Sequence, residues 1–315
     1  MIDFRYHLVS IAAIFLALAA GVVLGAGPLS NAVDDKLDAA GASTSTSQDK
    51  LRAQVAANRR LEAFRADYAD TIAPTVLSER LPSREVALFA LPGADDDTVD
   101  GLAADVRAAG GSVTTEVELS SDLLDPAGRQ FAEGVASQAL DGATNVEETT
   151  GQSSYELVGG ALGRAFLTAD PGAAVYDRSA ATIASAFAEA ELISYDGEPT
   201  TRASLAVVVA GDVADDVQDV QDGQDELVST LVQALDATTE GVVLAGPPGS
   251  AGVDGYLTAV RERDTADSVS TVDVASSPDG QIVTVLVLAR EAEGQSGHYG
   301  AVDPADGAMP ELSGS

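Results

Sequence analysis

The chain has 315 residues, a length that allows one large domain or two small ones. Its formal net charge at pH 7 is −33, because 50 acidic residues outnumber 17 basic ones. This charge excludes nucleic acid as a partner, since phosphate binding depends on clustered Lys and Arg. Cysteine is absent, which excludes disulfides, a thiolate nucleophile and thiolate metal sites.

Residues 8–29 form an apolar segment in which Ser10 is the only polar side chain. As a helix with a rise of ~1.5 Å per residue, the segment is roughly 33 Å long, which is enough to cross a bilayer core. Arg5 precedes it, and residues 31–36 after it carry no net positive charge, so the positive-inside rule places the N-terminus in the cytoplasm. We therefore predict a membrane anchor over residues 1–30, with the lipid bilayer as partner and the main domain outside the cytoplasm.

A cleaved signal peptide is the competing interpretation of this segment. Ala17 and Ala19 fit the small-x-small cleavage pattern, but a cut there would leave residues 20–29 as an exposed apolar terminus. Secretory apolar regions are also usually only ~7–15 residues long. Under either interpretation the rest of the chain is exported.

Small residues recur every four positions within the apolar segment, at Ala13, Ala17, Gly21 and Gly25. They lie on one face of a helix, and Gly21 and Gly25 form a GxxxG pattern that allows two membrane helices to approach closely. The pattern predicts self-association through this face. The alternative is that Gly and Ala are simply common in membrane helices.

Residues 31–75 are predicted to form a linker followed by a helical stalk. The stalk helix spans residues 50–72, and Pro74 is expected to end it, because a proline lacks the N–H that a helix needs. Its apolar positions and one Asn fall near heptad spacing, at Leu51, Val55, Asn58, Leu61, Tyr68 and Ile72. This spacing indicates a dimeric coiled-coil-like stalk, or else a single amphipathic helix packed on its own domain.

Residues 83–292 alternate strands with helices, which predicts an α/β domain with a mainly parallel sheet in a Rossmann-like, three-layer arrangement. The predicted strands cover residues 86–91, 113–119, 205–210, 241–245 and 269–274, the last at a sheet edge. The predicted helices cover residues 95–109, 126–140, 157–167, 180–190, 225–235, 255–263 and 281–291. Residues 293–315 are rich in Gly, Pro and Ser and are expected to be disordered.

No catalytic, cofactor-binding or metal-binding residue can be assigned from the sequence. The turn over residues 91–97 lacks GxGxxG, and the turn over residues 246–252 is Gly-rich but has no Lys, so neither predicts a nucleotide site. The only histidines are His7, before the anchor, and His298, in the predicted tail, which leaves the domain without the soft ligands that copper(I) prefers. Residues 211–226 form an acidic loop without the EF-hand order. We therefore predict that the protein is not an enzyme.

Residues 3–25 (DFRYHLVSIAAIFLALAAGVVLG) resemble the start of an actinobacterial family, the copper transport outer membrane proteins, MctB. Residues 86–94, 242–247 and 296–300 also look like this family, so the resemblance covers nearly the whole chain. It implies a role in copper homeostasis, described for the family as efflux across the outer membrane. Related corynebacterial proteins, SteB, are instead partners of a second membrane protein, SteA, in envelope growth and division.

Two functions follow from these observations. The first is copper transport or homeostasis at the envelope, which the resemblance implies. The alternative is an anchored, non-enzymatic interaction protein, similar to SteB, that forms a homodimer or a hetero-oligomer with another envelope membrane protein. The residues themselves favour the second mechanism, because one membrane helix cannot form a pore and the domain has no soft metal ligands.

Overall fold

The computed structural model describes residues 28–142, 154–170, 174–197, 199–212, 223–253, 255–262 and 268–311. The chain divides into two units, residues 1–64 and residues 65–315. We call residues 50–64 of the first unit the arm. The described residues of the second unit, from 65 to 311, are called the body.

Helix α1 (Pro28–Val76) passes through both units. From residue 50 onward its most frequent residues are Ala and Arg, which are strong helix formers. The predicted stalk helix is therefore present, but it is part of a longer helix that begins at Pro28, within the predicted anchor, and continues past Pro74, so the predicted end at this residue is wrong. Pro74 removes one backbone donor near the last turn, and the burial of Ala73 and Leu77 on either side of it offsets that loss.

The body is built around a single sheet, and helices connect its strands and cover both of its faces. Its strands are β1 (Glu85–Ala90), β2 (Ser112–Leu119), β3 (Ile193–Tyr195), β4 (Leu205–Val209), β5 (Val242–Ala245), β6 (Ser270–Val272) and β7 (His298–Tyr299). Its helices are α2 (Asp96–Ala108), α3 (Arg129–Asp141), α4 (Ser154–Phe166), α5 (Arg178–Glu189), α6 (Gln224–Asp236), α7 (Tyr256–Arg261) and α8 (Pro278–Glu291). The helix predicted over residues 281–291, where an apolar run could also have been a strand, is confirmed as α8.

The strands lie in the order β3-β2-β1-β4-β5-β6-β7. Every neighbouring pair is parallel except β2 and β3, which are antiparallel. The mainly parallel sheet predicted from the alternation of elements is therefore confirmed. The chain moves from β1 towards one edge and from β4 towards the other, which makes the β1–β4 pair the topological switch point of the sheet.

Apolar side chains of the central strands alternate between two separate cores, one on each face of the sheet. Phe89, Val208 and Leu244 belong to one core, which α3, α4, α5, α6 and α7 cover. Leu88 and Val207 belong to the other, which the end of α1, α2 and α8 cover. Because both faces are buried, the strands are continuous apolar runs, and the body has three layers.

Two predictions about the C-terminal part of the sheet are wrong. The strand over residues 269–274 is not an edge strand, because β6 pairs with β5 on one side and with β7 on the other. The segment after residue 293 is not disordered throughout, because it forms β7, and backbone and side-chain hydrogen bonds hold it as far as Gly307. The short antiparallel strand β3 was not predicted, because three residues are too few to show an alternating pattern.

The predicted anchor over residues 1–30 lies almost wholly outside the described residues, which begin at Pro28. Its small-residue face, Ala13, Ala17, Gly21 and Gly25, lies outside them entirely. None of the helices that the described residues form combines the length and apolar composition needed to cross a bilayer.

Substitution of Leu77 tests whether the end of α1 belongs to the core of the body. Leu77 is fully buried in the core beside α2 and α8, so Leu77→Ala is expected to lower the free energy of unfolding by about 2–4 kcal/mol. Chemical denaturation of the full chain in detergent would measure the change. The same truncation at the exposed Leu61 is expected to change it by less than about 0.5 kcal/mol. Equal effects at the two positions would contradict this packing.

Candidate functional site

The residues predicted to associate along α1 separate into two groups. Leu51, Val55, Asn58, Leu61 and Tyr68 are exposed, whereas Ile72 is partly buried and packs against the core of the body. The exposed face therefore ends before Ile72, which helps to hold the body together. The prediction of an associating stalk applies only to the residues before it.

The switch point of the sheet, where a doubly wound fold usually binds its ligand, is filled by two backbone turns. Gly211 follows β4 and Gly93 follows β1, and a Cβ atom placed on Gly211 would lie 2.1 Å from the carbonyl oxygen of Gly93. Only glycine permits so close an approach of the two turns. The third turn at this edge begins at Gly246, and Gly249 within it lies against the carboxylate of Asp212.

A cleft of about 230 Å³ lies beside the switch point, between the first turns of α2 and strands β1, β2 and β3. Leu88, Ala90 and Val99 contribute apolar surface to it. Its carboxylates are Asp96, Asp100, Glu116, Glu118 and Asp196. The cleft attracts cations, but within the described part of the chain no three His, Asp or Glu side chains are arranged to hold a metal ion.

A buried ion pair fastens the C-terminal segment to the carboxyl end of β6. Asp273 is fully buried, and its carboxylate accepts hydrogen bonds from the backbone N–H of Ala301 at 2.6 Å and of Val302 at 3.2 Å. Arg261 Nη2 lies 3.1 Å from Asp273 Oδ2 and also donates to the carbonyl of Tyr299. The next residue, Gly300, has a φ of +137°, and a Cβ atom there would overlap the Asp273 carboxylate. This arrangement satisfies a buried charge with several donors, which is how proteins tolerate one.

The sequence predicted that His298 lies in a disordered tail. In the structure His298 instead takes part in the same network as Arg261. Arg261 Nε donates to Thr271 Oγ1 at 2.7 Å, and Thr271 Oγ1 lies 3.0 Å from His298 Nδ1. Thr271 Oγ1 accepts from Arg261 and can either donate to His298 Nδ1 or accept from it, according to the tautomer of the imidazole. The body therefore contains a histidine, and the prediction that it has none is wrong.

The carboxyl groups of Glu291 and Asp236 lie at the opposite, amino end of β6. Basic side chains do not contribute to the pKa shift of either group. Burial and, to a smaller extent, the nearby Asp236 raise the pKa of Glu291 to about 7, and hydrogen bonds from Ser270 and Ser296 limit this rise. Burial also raises the pKa of Asp236 to about 6. Each residue ends its helix, α8 or α6, where the helix dipole also disfavours a negative charge.

Sequence signals for these polar residues are faint. Asp273 directly follows β6 and lies between Val272 and Val274, and a charged residue between apolar neighbours at the end of a buried strand indicates a buried partner. The partner Arg261 is 12 residues away in a separate helix, so no local spacing links the two. Glu291 looks like the solvated end of a helix in the sequence, and only the sheet topology shows that it is buried.

Glu291→Gln tests the buried carboxyl pair. A carboxyl whose pKa is raised on folding contributes stability below its unfolded value, near 4.5, and that contribution is lost as the pH rises through about 7. The variant is therefore expected to be more stable than the parent chain by about 1–3 kcal/mol at pH 8, with the difference disappearing near pH 4. Denaturation at the two pH values measures this.

The exposed Glu293 provides the matched control, and Glu293→Gln should leave the pH dependence unchanged. Loss of stability in Glu291→Gln at pH 8 would mean that the ionised carboxylate, and not the protonated group, is the stabilising form.

Comparison with known proteins adds the family to this geometry. The family model described as copper transport outer membrane protein, MctB, matches residues 1–310. Proteins named copper transporter MctB from Mycobacterium tuberculosis and Mycobacterium bovis are each 30% identical to this chain over 308 residues, covering 95% of it and 96% of their own length. The Mycobacterium leprae protein of the same name is 29% identical over the same coverage. The chain therefore belongs to the copper transport outer membrane protein family, MctB.

Proposed function

We propose that this chain is a single-pass envelope protein that supports copper transport or homeostasis by associating with another membrane protein chain through the arm. The family and the names of the mycobacterial relatives support the copper role. The apolar segment over residues 8–29 supports the anchor, with the body outside the cytoplasm. An enzymatic role is not part of the proposal.

The observation that carries the proposal is the concentration of exposed apolar side chains on α1. Nine large apolar or aromatic side chains are exposed among the described residues, and five of them lie within 18 residues of this one helix. Their exposed fractions are 62% for Leu51, 43% for Val55, 50% for Leu61, 63% for Phe64 and 54% for Tyr68. The other four are scattered singly over the body, as on any soluble surface. Such a concentration indicates a surface that another chain covers.

The spacing of these residues fits a helix as the covering element. Leu51, Val55 and Asn58 are separated by four and three residues, which places them on one line of the helix. A single Asn in such a line fixes the register and stoichiometry of a helix pair, at some loss of stability. The small-residue face Ala13, Ala17, Gly21 and Gly25, upstream in the same chain, would extend the pairing into the membrane.

The same observation also supports the second candidate, a SteB-like role in envelope growth and division. Both candidates use the arm to bind a membrane partner, and they differ only in what the assembled complex does. The copper content of the cell separates them, because only the first candidate predicts that it changes when the arm fails.

The double substitution Leu51→Ser with Val55→Ser tests both parts of the proposal. It replaces exposed apolar side chains, so it is expected to leave the body folded and to remove the association that buries them. A pull-down from detergent-solubilised membranes should then lose the membrane partner, or a second copy. Cell-associated copper should rise to the level of a strain that lacks the protein.

Val175→Ser with Val253→Ser is the matched control, because it makes the same polar exchange at two exposed positions of the body. It should keep both the partner and normal copper. Capture of the same partners by the arm variant would refute the assembly role, and a lost partner with unchanged copper would favour the SteB-like candidate. Deletion of residues 50–72 is a poorer test, since Ala69 and Ile72 are part of the core.

A further inference from the structure

The carboxyl group of Glu291 is enclosed between the sheet and the joining segment, which is the name we give to residues 292–297 between α8 and β7. Glu291 is only 3% exposed, and its Oε1 atom accepts a hydrogen bond from the N–H of Ser270 at 2.8 Å. The side chain of Ser296, in the joining segment, forms another hydrogen bond with it. On the sheet side, a Cβ atom placed on Gly241 would lie 3.0 Å from Oε2. Movement of the joining segment would therefore expose the carboxyl group to water.

The joining segment also holds β7 beside β6. The N–H of Gly297 donates to Ser270 Oγ at 2.9 Å, and the N–H of Thr271 donates to the carbonyl of Gly297 at 3.1 Å. Because β7 has two residues and lies at the end of the strand order, it can leave the sheet without breaking any other strand pair. Exposure of Glu291 and detachment of β7 are thus parts of one movement.

The two ends of β6 hold the C-terminal residues by different physical means. At the carboxyl end, Asp273 and Arg261 have opposite charges and attract each other. At the amino end, Glu291 and Asp236 repel each other when both are ionised. Ionisation of Glu291 would also place a charge in a buried site, which is costly without a cation. Raising the pH is therefore expected to loosen the amino end selectively.

The charged and titratable groups around Glu291 leave it without a compensating cation. Those on its own and neighbouring elements are Asp236 of α6, Arg290 of α8, Tyr299 of β7, and Glu240 before β5 with its ion-pair partner Arg84. Arg290 Nη2 donates to Gln295 Oε1 at 2.6 Å. Within the part of the chain that the structure describes, Glu291 therefore has hydrogen-bond donors but no cationic partner.

His298 is a second group in this region that can respond to pH. Its N–H donates to Asp306 Oδ2 at 2.8 Å, and its imidazole lies beside Thr271 in the network of Arg261. Histidine is the side chain that ordinarily changes its charge between pH 5 and 8. A test of pH dependence must therefore separate His298 from Glu291.

We propose that the joining segment and β7 form a pH-sensitive closure, which packs over the protonated carboxyl group of Glu291 and detaches from β6 when this group ionises. The pKa of Glu291 is raised by folding to about 7, so its contribution to the closed state is present in acid and is lost as the pH rises through about 7. Detachment uncovers the edge of β6, whose backbone groups can then pair with another strand. The closure does not depend on the association of the arm.

Hydrogen exchange of the full chain in detergent measures this opening. At pH 8 the amides of Gly297 and Thr271 should be at least about tenfold less protected than the amide of Leu91, which donates to Val209 at the centre of the sheet. Above pH 7 their protection, corrected for intrinsic exchange, should fall by up to about tenfold per pH unit. This dependence is expected because opening is linked to the release of one proton.

Three variants identify the group that responds to pH. Glu291→Gln should abolish the pH dependence at Gly297 and Thr271, whereas Glu293→Gln, at an exposed position of the joining segment, should retain it. His298→Gln should retain it as well. The inference is overturned if the dependence survives in Glu291→Gln or disappears in His298→Gln. Equal protection of Thr271 and Leu91 would also overturn it, because β7 would then open only when the whole body unfolds.

Discussion

Burial of apolar side chains on both faces of one sheet is the constraint on which the rest of the structure depends. The central strand β4 is buried throughout, and its residues point alternately into two cores. Each core requires its own layer of helices, because no strand face can be left to solvent. The end of α1 belongs to one of these layers through Ala69, Ala73 and Leu77. The same helix is therefore part of a core at one end, whereas the side chains of the arm are exposed.

The polar groups of the body serve to hold the last strands in place. At the carboxyl end of β6, Asp273 and Arg261 bind the backbone that follows β7, and at the amino end Glu291 accepts a hydrogen bond from the N–H of Ser270 at 2.8 Å. The first is a charged pair with several donors, whereas burial of the second favours the protonated form of its carboxyl group. Neither resembles a catalytic arrangement. The chemistry available to a partner lies on the arm and in the acidic cleft.

The alternation of apolar runs was sufficient to predict the α/β class, the parallel sheet and nearly every helix. Long-range pairing was not predictable, because β6 and β7 are too short to carry a pattern and are stabilised by residues distant in sequence, such as Arg261. The seam residues of the arm were recognised from heptad spacing, yet Ile72 has the same spacing and is part of the core. Periodicity identifies an apolar face of a helix but not what covers it.

The central claim is that another chain covers the arm when the protein is anchored in its native membrane. Thiol labelling tests this claim directly. The chain has no cysteine, so a single introduced cysteine gives an unambiguous signal. Val55→Cys lies on the apolar face, whereas the exposed Ala63 lies at least about 80° around the helix from each of the five apolar side chains, which makes Ala63→Cys the control. We predict that the cysteine at position 55 reacts much more slowly in native membranes than in the purified chain, while the cysteine at position 63 reacts alike in both. Equal labelling of position 55 in the two preparations would contradict the claim.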